Sequence, residues 1–468
     1  MKIGERVFHP KYGWGTIRLL LTKMNELWAR VDFGYATCTI LVSELLDSPQ
    51  GSPPTTPPVP EPSPSEALPE VKKPGLFKLN LTQVSARKGI QALKLGQVLE
   101  SHIFDLSVGT QEIETTFQSK VNQAKNYQVS PLLIEGAWGT GKTHVLTLLQ
   151  AISKKSSMAT AYVILDGHSA SLGKPMELMG EISESLRFPF GAVLDSLSEI
   201  LRRAVFEQKI PQLKREGAHI IAGALNALHS RTLDHPDACH LVEDYFCLAI
   251  SASQASDQLA RMGLHAPYLP TIKASRVAER AVAFRNLLEN WAYFAKVMGA
   301  NGLVIILDEL DVEYVNTAWR TQDAATLRER RTAVLKELAN LTNAKVPLVL
   351  AFASAPAEND SDPENNAVAN LIEIFKKQIT HIKVPYPTKD QLRYLFDRLF
   401  SFYNTAYQGS LDNLTQDKKN LIWSRLVRCY ESDPNPIPRR FVRLTLEAFD
   451  LISLTKNPDI QSTLEILG

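Results

Sequence analysis

Short apolar runs alternate along the chain with longer stretches in which apolar residues recur at helical spacing. Five runs are short enough for strands, and they lie at 132–134, 161–165, 303–307, 347–353 and 379–384. Amphipathic stretches separate them. Strands that alternate with helices form parallel sheets covered by helices on both faces, so the pattern predicts an α/β fold.

The pattern is different at the start of the chain. Residues 1–47 alternate apolar and polar positions around glycine turns such as Gly13-Trp14-Gly15, which predicts a small β-barrel. Residues 48–75 are rich in proline, serine and glutamate and include Pro53-Pro54 and Pro57-Pro58. Because proline disfavours helix and sheet, we expect this segment to be an extended linker.

Two largely helical regions accompany the strands. One is the region from about 174 to 299, where the side chains expected on one buried face include Val277, Ala281, Phe284, Leu288 and Trp291. We interpret it as a helical insertion within a core formed by residues 76–387. Residues 388–468 contain further amphipathic patterns, which predict a C-terminal helical lid.

A glycine-rich sequence directly follows the first of the five runs and opens a helical stretch. It reads Gly136-Ala137-Trp138-Gly139-Thr140-Gly141-Lys142-Thr143, which fits G-x-x-x-x-G-K-[ST]. Glycines let backbone N–H groups surround phosphate oxygens, and the helix N-terminus adds partial positive charge. We expect all of these residues to bind nucleotide, with Lys142 on the β and γ phosphates and Thr143 on Mg²⁺.

The run 303–307 ends in two carboxylates, Asp308 and Glu309. The carboxyl ends of parallel strands meet at one edge of a sheet, so we expect Asp308 to lie beside Lys142 and Thr143. Asp308 would hold Mg²⁺ through water, while Glu309 would orient the water that attacks the γ phosphate. The two motifs predict a P-loop ATPase of the AAA-like class with ATP and Mg²⁺ as cofactors, in which Lys142 and Glu309 are catalytic.

Three more residues are candidates for nucleotide contact. Ser354 follows the run 347–353, at a position from which its hydroxyl could sense the γ phosphate. Arg439 and Arg440 follow Pro438 in a predicted lid helix, from which guanidinium groups could reach phosphates. A serine at a strand end is often only a turn residue, and exposed arginines are often solvated, so both assignments have simpler alternatives.

Other basic residues have no single interpretation. Nothing distinguishes one arginine that would act on the nucleotide of a neighbouring subunit among Arg320, Arg328, Arg330 and Arg331. Homo-oligomerisation therefore stays open. Four basic positions of the insertion could contact DNA, although interleaved acidic residues favour a solvated face: Arg202, Arg203, Lys214 and Arg215.

Length and composition narrow the classes of protein. With 468 residues the chain exceeds one ordinary core, and 44% hydrophobic and 22% charged residues are typical of globular proteins. The formal net charge of +1 excludes a general attraction to nucleic acid or anionic membranes. Four scattered cysteines, no signal-like start and no span of about 20 apolar residues predict a cytoplasmic protein without membrane contact.

From about residue 85 to 452 the sequence resembles the P-loop ATPases of bacterial BREX phage-defence systems, of the BrxC and BrxD kind. The matching segments are 87–93, 134–144 with Trp138 and His144, the strand end 307–309, and 438–443. The resemblance adds His144 to the expected nucleotide-binding residues. It also implies an ATPase that acts with a DNA methyltransferase, helicase or nuclease against invading DNA.

The N-terminal region resembles a different family. Residues 4–17 are similar to the Tudor-like C-terminal barrel of UvrD and PcrA helicases. This implies contact with RNA polymerase or another protein partner. The alternative is a spacer barrel without a ligand.

The sequence leads to one main hypothesis and two alternatives. The main hypothesis is an ATP-binding and ATP-hydrolysing module of a multi-protein anti-phage (BREX-like) or DNA-processing system, in which nucleotide state controls partner or DNA engagement. One alternative is an ATP-gated scaffold with little turnover. The other is an AAA+ DNA loader of the origin-recognition or transposition type.

Overall fold

The computed structural model describes two compact units. One comprises residues 1–80 with 190–195, and the other comprises 81–189 with 196–468. In the first unit the description covers the backbone of four strands. Residue 190 of the first unit is also described. In the second unit the description covers 82–97, 99–167, 170–189, 197–228, 236–247, 249–263, 276–318, 324–356, 366–433 and 437–454, with most of their side chains. The predicted linker 48–75 and Arg320 lie outside the described residues.

The four N-terminal strands form an antiparallel sheet. They are β1 (Arg6–His9), β2 (Gly13–Lys23), β3 (Glu26–Asp32) and β4 (Thr37–Leu41), and each pairs with the next along the chain. The register between β2 and β3 shifts between Ile17 and Leu19, which is an irregularity of the β-bulge kind. Closure of residues 1–47 into a Tudor-like barrel stays a prediction.

The second unit is built on a five-stranded parallel sheet, which confirms the predicted α/β fold. Its strands are β5 (Ser130–Glu135), β6 (Ala159–Ile164), β7 (Leu303–Asp308), β8 (Leu348–Ser354) and β9 (Thr380–Lys383). Their order across the sheet is β6-β7-β8-β5-β9, and every pair is parallel. Each predicted apolar run coincides with one of these strands.

Burial explains why the central strands are nearly all apolar. Every residue of β7 and β8 is buried, as expected for parallel strands covered on both faces. On one face, Ile306 and Ala351 belong to a cluster with Phe117 and Leu148 from two covering helices. Phe352 has the opposite strand parity and packs against the ring of Phe375, with centroids 5.7 Å apart.

Helices at the start of the unit and between strands provide these layers. Before β5 come α1 (Gln83–Lys94), α2 (Ile103–Leu106) and α3 (Gln111–Lys125), and α4 (Lys142–Lys155) follows it. Between β6 and β7 lie α5 (Pro175–Ser185), α6 (Leu197–Phe206), α7 (Ile210–Glu216), α8 (His219–Leu228), α9 (Pro236–Phe246), α10 (Ala252–Arg261) and α11 (Val277–Val297). These helices occupy the region predicted as an insertion, although its domain boundaries stay predictions.

The remaining helices complete the sheet and follow it. They are α12 (Leu310–Ala318), α13 (Ala324–Leu341), α14 (Ala367–Phe375), α15 (Lys389–Ala406), α16 (Gln416–Glu431) and α17 (Pro438–Leu454). The Arg87 guanidinium of α1 donates to the carbonyl of Ala406 on α15 over 2.7 Å, and Lys94 pairs with Asp450 on α17. Helix α1 therefore packs with the C-terminal helices. In the described part of the chain no helix combines the length and apolar character required to cross a bilayer.

Candidate nucleotide-binding site

The glycine-rich loop lies between β5 and α4 and is held by its own hydrogen bonds. Gly139 and Gly141 have φ angles of +80° and +102°, which glycine adopts without the strain that other residues incur. The Thr140 hydroxyl donates to the carbonyl of Ala137 over 2.8 Å. The N–H of Gly136 donates over 3.1 Å to the carbonyl at the end of β8. The loop is thereby curled and attached to the neighbouring strand.

The tip of β7 presents the first predicted carboxylate. Asp308 is 3% exposed, and its two oxygens accept hydrogen bonds from the Tyr162 hydroxyl at 2.7 Å and the Glu309 N–H at 2.8 Å. Burial, followed by the adjacent Asp308 charge, raises the pKa of Tyr162, so this hydroxyl stays a proton donor. These contacts orient the Asp308 carboxylate, because both oxygens have a fixed donor.

Glu309, the second predicted carboxylate, directly follows Asp308 and has an uncommon backbone conformation. Its φ is +57°, a region that residues other than glycine seldom occupy. Burial raises the pKa of its carboxyl above the usual value, the neighbouring Asp308 adds to the rise, and Lys142 opposes it. A carboxyl group with a raised pKa is a better proton acceptor, which is suitable for a group that activates water.

The loop and the β7 tip line the same cavity, which has a volume of about 690 Å³. One part of its lining consists of the loop residues 137–143 together with His144, Tyr162, Asp308 and Glu309. Its apolar lining includes Leu93, Leu106, Val108, Ile113, Val384, Pro385, Leu395 and Leu399. An apolar wall beside a glycine-rich loop at a helix N-terminus suits a ligand with an aromatic base and an anionic tail.

The side chains also fit a magnesium ion that arrives with phosphate groups. Thr143 lines the cavity, and each Asp308 oxygen retains a lone pair beyond its protein donor. Within the described residues, His, Cys, Asp and Glu side chains form no group of three that could hold a metal by themselves. In proteins Mg²⁺ is usually held by one or two protein oxygens together with substrate phosphates.

Of the other residues predicted to contact nucleotide, some line the cavity and others do not. Arg439 lines the cavity and donates to the carbonyl of Gly96 over 3.0 Å, whereas Arg440 pairs with Asp433 and is absent from the lining. Ser354 is fully buried, and its hydroxyl donates to the carbonyl of Ala355 over 3.0 Å, so it does not face the cavity. Gly136 lies at the base of the loop beside Thr140 rather than in the lining.

His144 lines the cavity one position beyond the loop. Its Nε2 lies 2.8 Å from the Ser107 hydroxyl, which donates its proton to the Ile103 carbonyl over 2.7 Å. The imidazole therefore donates from Nε2. Burial lowers the pKa of His144 to about 4, so the ring is neutral at neutral pH.

One candidate for an arginine that acts on the nucleotide of a neighbouring subunit, Arg331, is buried. Arg331 is 2% exposed, and its guanidinium lies 3.5 Å from the centroid of the Tyr314 ring. A buried arginine of this kind supports the packing of α12 against α13 and is not accessible to a neighbouring subunit.

In the insertion, Arg203 pairs with Glu207 over 2.6 Å, in agreement with a solvated charged face.

Sequence reasoning missed one charged residue beside the site, which contacts Lys142 but does not itself line the cavity. Asp311 lies on the first turn of α12, and its Oδ1 is 3.7 Å from the Lys142 ammonium and 2.8 Å from the N–H of Ala355. No local signal marks it, because Asp308 is the last residue of strand β7 and α12 begins only at Leu310, so helical spacing does not relate these two carboxylates. Trp138 is 71% exposed, and the Lys142 ammonium lies 5.9 Å from the centroid of its ring.

Comparison with solved structures yields distant similarities. The E. coli MS115-1 HORMA:CdnC:Trip13 complex matches with a TM-score of 0.38 and 12% identity, covering 79% of this chain and 90% of that chain. Drosophila ORC bound to DNA gives 0.35 and 13%, covering 86% and 70%. Cdc6p from Pyrobaculum aerophilum gives 0.30 and 14%, covering 74% and 62%. Such scores establish no shared function.

Comparison of the sequence with known families gives a more specific result. No curated protein matches the chain. Residues 82–235 match the family described as BREX system ATP-binding protein BrxC/D. This segment contains the glycine-rich loop and its flanking β5 and α4, so the match supports an ATP-binding module that resembles the BrxC/D proteins.

Proposed function

We propose that this protein binds Mg²⁺-ATP in the cavity described above and hydrolyses it. The observation that carries the proposal is that the glycine-rich loop, Asp308 and Glu309 line one cavity although they are far apart in sequence. Binding alone requires the loop, whereas hydrolysis also requires a group that activates water. Glu309 provides such a group beside the Lys142 ammonium.

Each part of the site has a distinct task in this proposal. The N–H groups of the loop and the Lys142 ammonium bind the phosphates, and the apolar wall around Leu106 and Leu399 accepts the adenine base. Thr143 and Asp308 hold Mg²⁺, which offsets phosphate charge when bound. Arg439, which lines the cavity from α17, would contact the phosphates. We no longer assign a phosphate contact to Ser354 or Arg440, because neither lines the cavity.

Hydrolysis is tested with the variant Glu309→Gln, which preserves the side-chain shape and removes the basic group. We expect the Kd for Mg²⁺-ATP to stay within about threefold, while turnover falls by about 100-fold or more. Glu207→Gln, at an ion pair of the insertion, is the matched control and should retain full turnover. Unchanged turnover in Glu309→Gln would show that Glu309 does not activate the water.

At the level of the cell, we propose a module of a multi-protein bacterial anti-phage system of the BREX kind, or of a related DNA-processing system. The match of residues 82–235 to the BrxC/D family supports this. The expected partners are other defence proteins such as a methyltransferase, a helicase or a nuclease, and DNA. Co-purification from the native host, with and without ATP, tests it, because a nucleotide-dependent complex with such an enzyme is expected.

Phosphate release in a single turnover separates this proposal from an ATP-gated scaffold. A stoichiometric burst, with or without added DNA, supports an ATPase, whereas retention of intact ATP supports the scaffold. A DNA loader predicts in addition that ATP causes rings or filaments to assemble on DNA, in a way that weakens as salt increases. Absence of such assemblies would remove the loader hypothesis.

A further inference from the structure

We propose that Asp311 is a positioning residue that holds the Lys142 ammonium when no phosphate is bound and thereby lowers the affinity of the site for nucleotide. The proposal rests on the function proposed above. The supporting geometry is a single carboxylate oxygen, Asp311 Oδ1, which lies 3.7 Å from Lys142 Nζ and 2.8 Å from the N–H of Ala355. Both charged side chains are largely shielded from solvent, with 12% of Lys142 and 19% of Asp311 exposed.

Asp311 completes a path of contacts that joins the two ends of the glycine-rich loop. At the start of the loop, the N–H of Gly136 donates to the carbonyl of Ser354 at the end of β8. The next residue, Ala355, donates to Asp311. Asp311 attracts Lys142, which begins α4 directly after the loop. The carboxylate thus connects the tip of β8 with the lysine that is expected to bind phosphate.

Asp311 and bound phosphate groups would compete for the Lys142 ammonium. Lys142 lines the cavity whereas Asp311 does not, so a triphosphate bound in the cavity and the Asp311 carboxylate outside its lining would attract the same ammonium and repel each other. A distance of 3.7 Å is longer than a hydrogen bond, so Lys142 is attracted by Asp311 but can turn away from it. When ATP binds, Lys142 moves to the β and γ phosphates, and after product release Asp311 attracts it back. The affinity for ADP is lowered in the same way, which favours its release.

The experiment compares Kd values of Mg²⁺-ADP and Mg²⁺-ATP for the full chain and its variants by calorimetry. Asp311→Asn retains an oxygen that accepts from Ala355 but removes the negative charge, and we expect both Kd values to fall by about fivefold to tenfold. Asp311→Glu retains the charge and should stay within about twofold of the wild type. Asp397→Asn, which removes a carboxylate that pairs with Arg393 on α15, is the matched control and should also stay within about twofold.

The outcomes separate this inference from the proposed function. If the wild type binds nucleotide and Asp311→Asn binds it equally or more weakly, the carboxylate only supports the Ala355 contact, and the inference is overturned. If the wild type binds neither nucleotide, the proposed function and the inference both fail. Should Asp311→Asn not fold, Asp311→Ser also removes the charge and keeps an acceptor, and it must show the same tightening.

Discussion

Two strand ends meet at the cavity, and each requires a residue with a positive φ. After β5 these residues are glycines, Gly139 and Gly141, for which the conformation is easy. After β7 the residue is Glu309, for which it is strained by about 1 to 3 kcal/mol. The loop after β5 needs only backbone N–H groups at its turns, whereas the tip of β7 needs a carboxylate. The positive φ is therefore occupied by the least strained residue, glycine, after β5, whereas after β7 it is occupied by a residue that provides a carboxylate.

The same contrast extends to charge. The loop contributes the Lys142 ammonium at the start of α4, where it faces carboxylates. The β7 side concentrates acidic residues, namely Asp308, Glu309, Asp311 and the buried Glu313. Burial raises the pKa of Glu313 to about 7, although the Ser171 hydroxyl and the Leu172 N–H donate to its carboxylate. Acidic residues are therefore concentrated at the tip of β7 and in the first turns of α12, and four predictions test the difference between this region and the loop.

The largest effect is expected from removing the single cation of the loop. Lys142→Met should raise the Kd for Mg²⁺-ATP by about 100-fold or more, because a charge-assisted contact with two phosphates is lost. Lys155→Met, at the other end of the same helix, is the control and should have little effect on the Kd. Calorimetric titration measures both. Similar Kd values for the wild type and Lys142→Met would contradict the assignment of the loop.

The second prediction concerns the glycine side. An added Cβ at Gly139 would lie 2.4 Å from Ile437 Cγ2, so Gly139→Ala should lower the free energy of unfolding by about 2 to 4 kcal/mol through combined clash and backbone strain. Gly263→Ala provides the matched control, since Gly263 has φ +74° with no atom within 4 Å of an added Cβ. It should lose only about 1 kcal/mol. Equal losses in denaturant titrations would show that the contact with Ile437 is unimportant.

The third prediction uses pH on the acidic side. Glu313 has a pKa of about 7 in the folded chain against an ordinary value of 4.5. Between these values the folded chain binds more protons than the unfolded chain, so its stability falls as pH rises. Glu313→Gln should therefore raise the free energy of unfolding at about pH 8 by about 2 kcal/mol more than it does at about pH 5. A gain independent of pH, measured by urea titration, would contradict this.

The smallest effect on stability is expected at Glu309 itself. Glu309→Gly should relieve the positive φ and raise the free energy of unfolding by about 1 kcal/mol, while turnover is lost. Glu309→Gln keeps the strained backbone and should show the loss of turnover without the gain in stability. Thermal unfolding of the two variants measures the difference. If both variants melt at the same temperature, the β7 tip is not strained, and the contrast with the loop disappears.

The sequence was most informative where local rules decide the structure. Apolar runs bounded by turn residues predicted all five strands of the parallel sheet, because a buried parallel strand has to be apolar throughout. It also predicted that the loop after β5 and the carboxylates after β7 would reach one edge of the sheet, since parallel strands end together. The catalytic roles of Lys142 and Glu309 stay predictions.

Contacts between distant segments could not be read in the same way. Arg439 and Arg440 are adjacent and chemically identical, but they have different partners around α17. Arg439 donates to the carbonyl of Gly96 and lines the cavity, whereas Arg440 pairs with Asp433 and does not. Ser354 has the expected place at the end of β8, but close packing buries its hydroxyl. Asp311 meets Lys142 across 169 positions of sequence, a separation over which spacing rules carry no information.

One exposed side chain gives the molecule an optical probe of its own. Trp138 projects from the glycine-rich loop with 71% of its surface exposed, in contrast to the buried Trp291. An indole that borders a triphosphate changes its environment when the ligand arrives, and its emission changes with it. Nucleotide binding should therefore be visible in the intrinsic fluorescence of the unlabelled chain, and Trp138→Phe should abolish the signal.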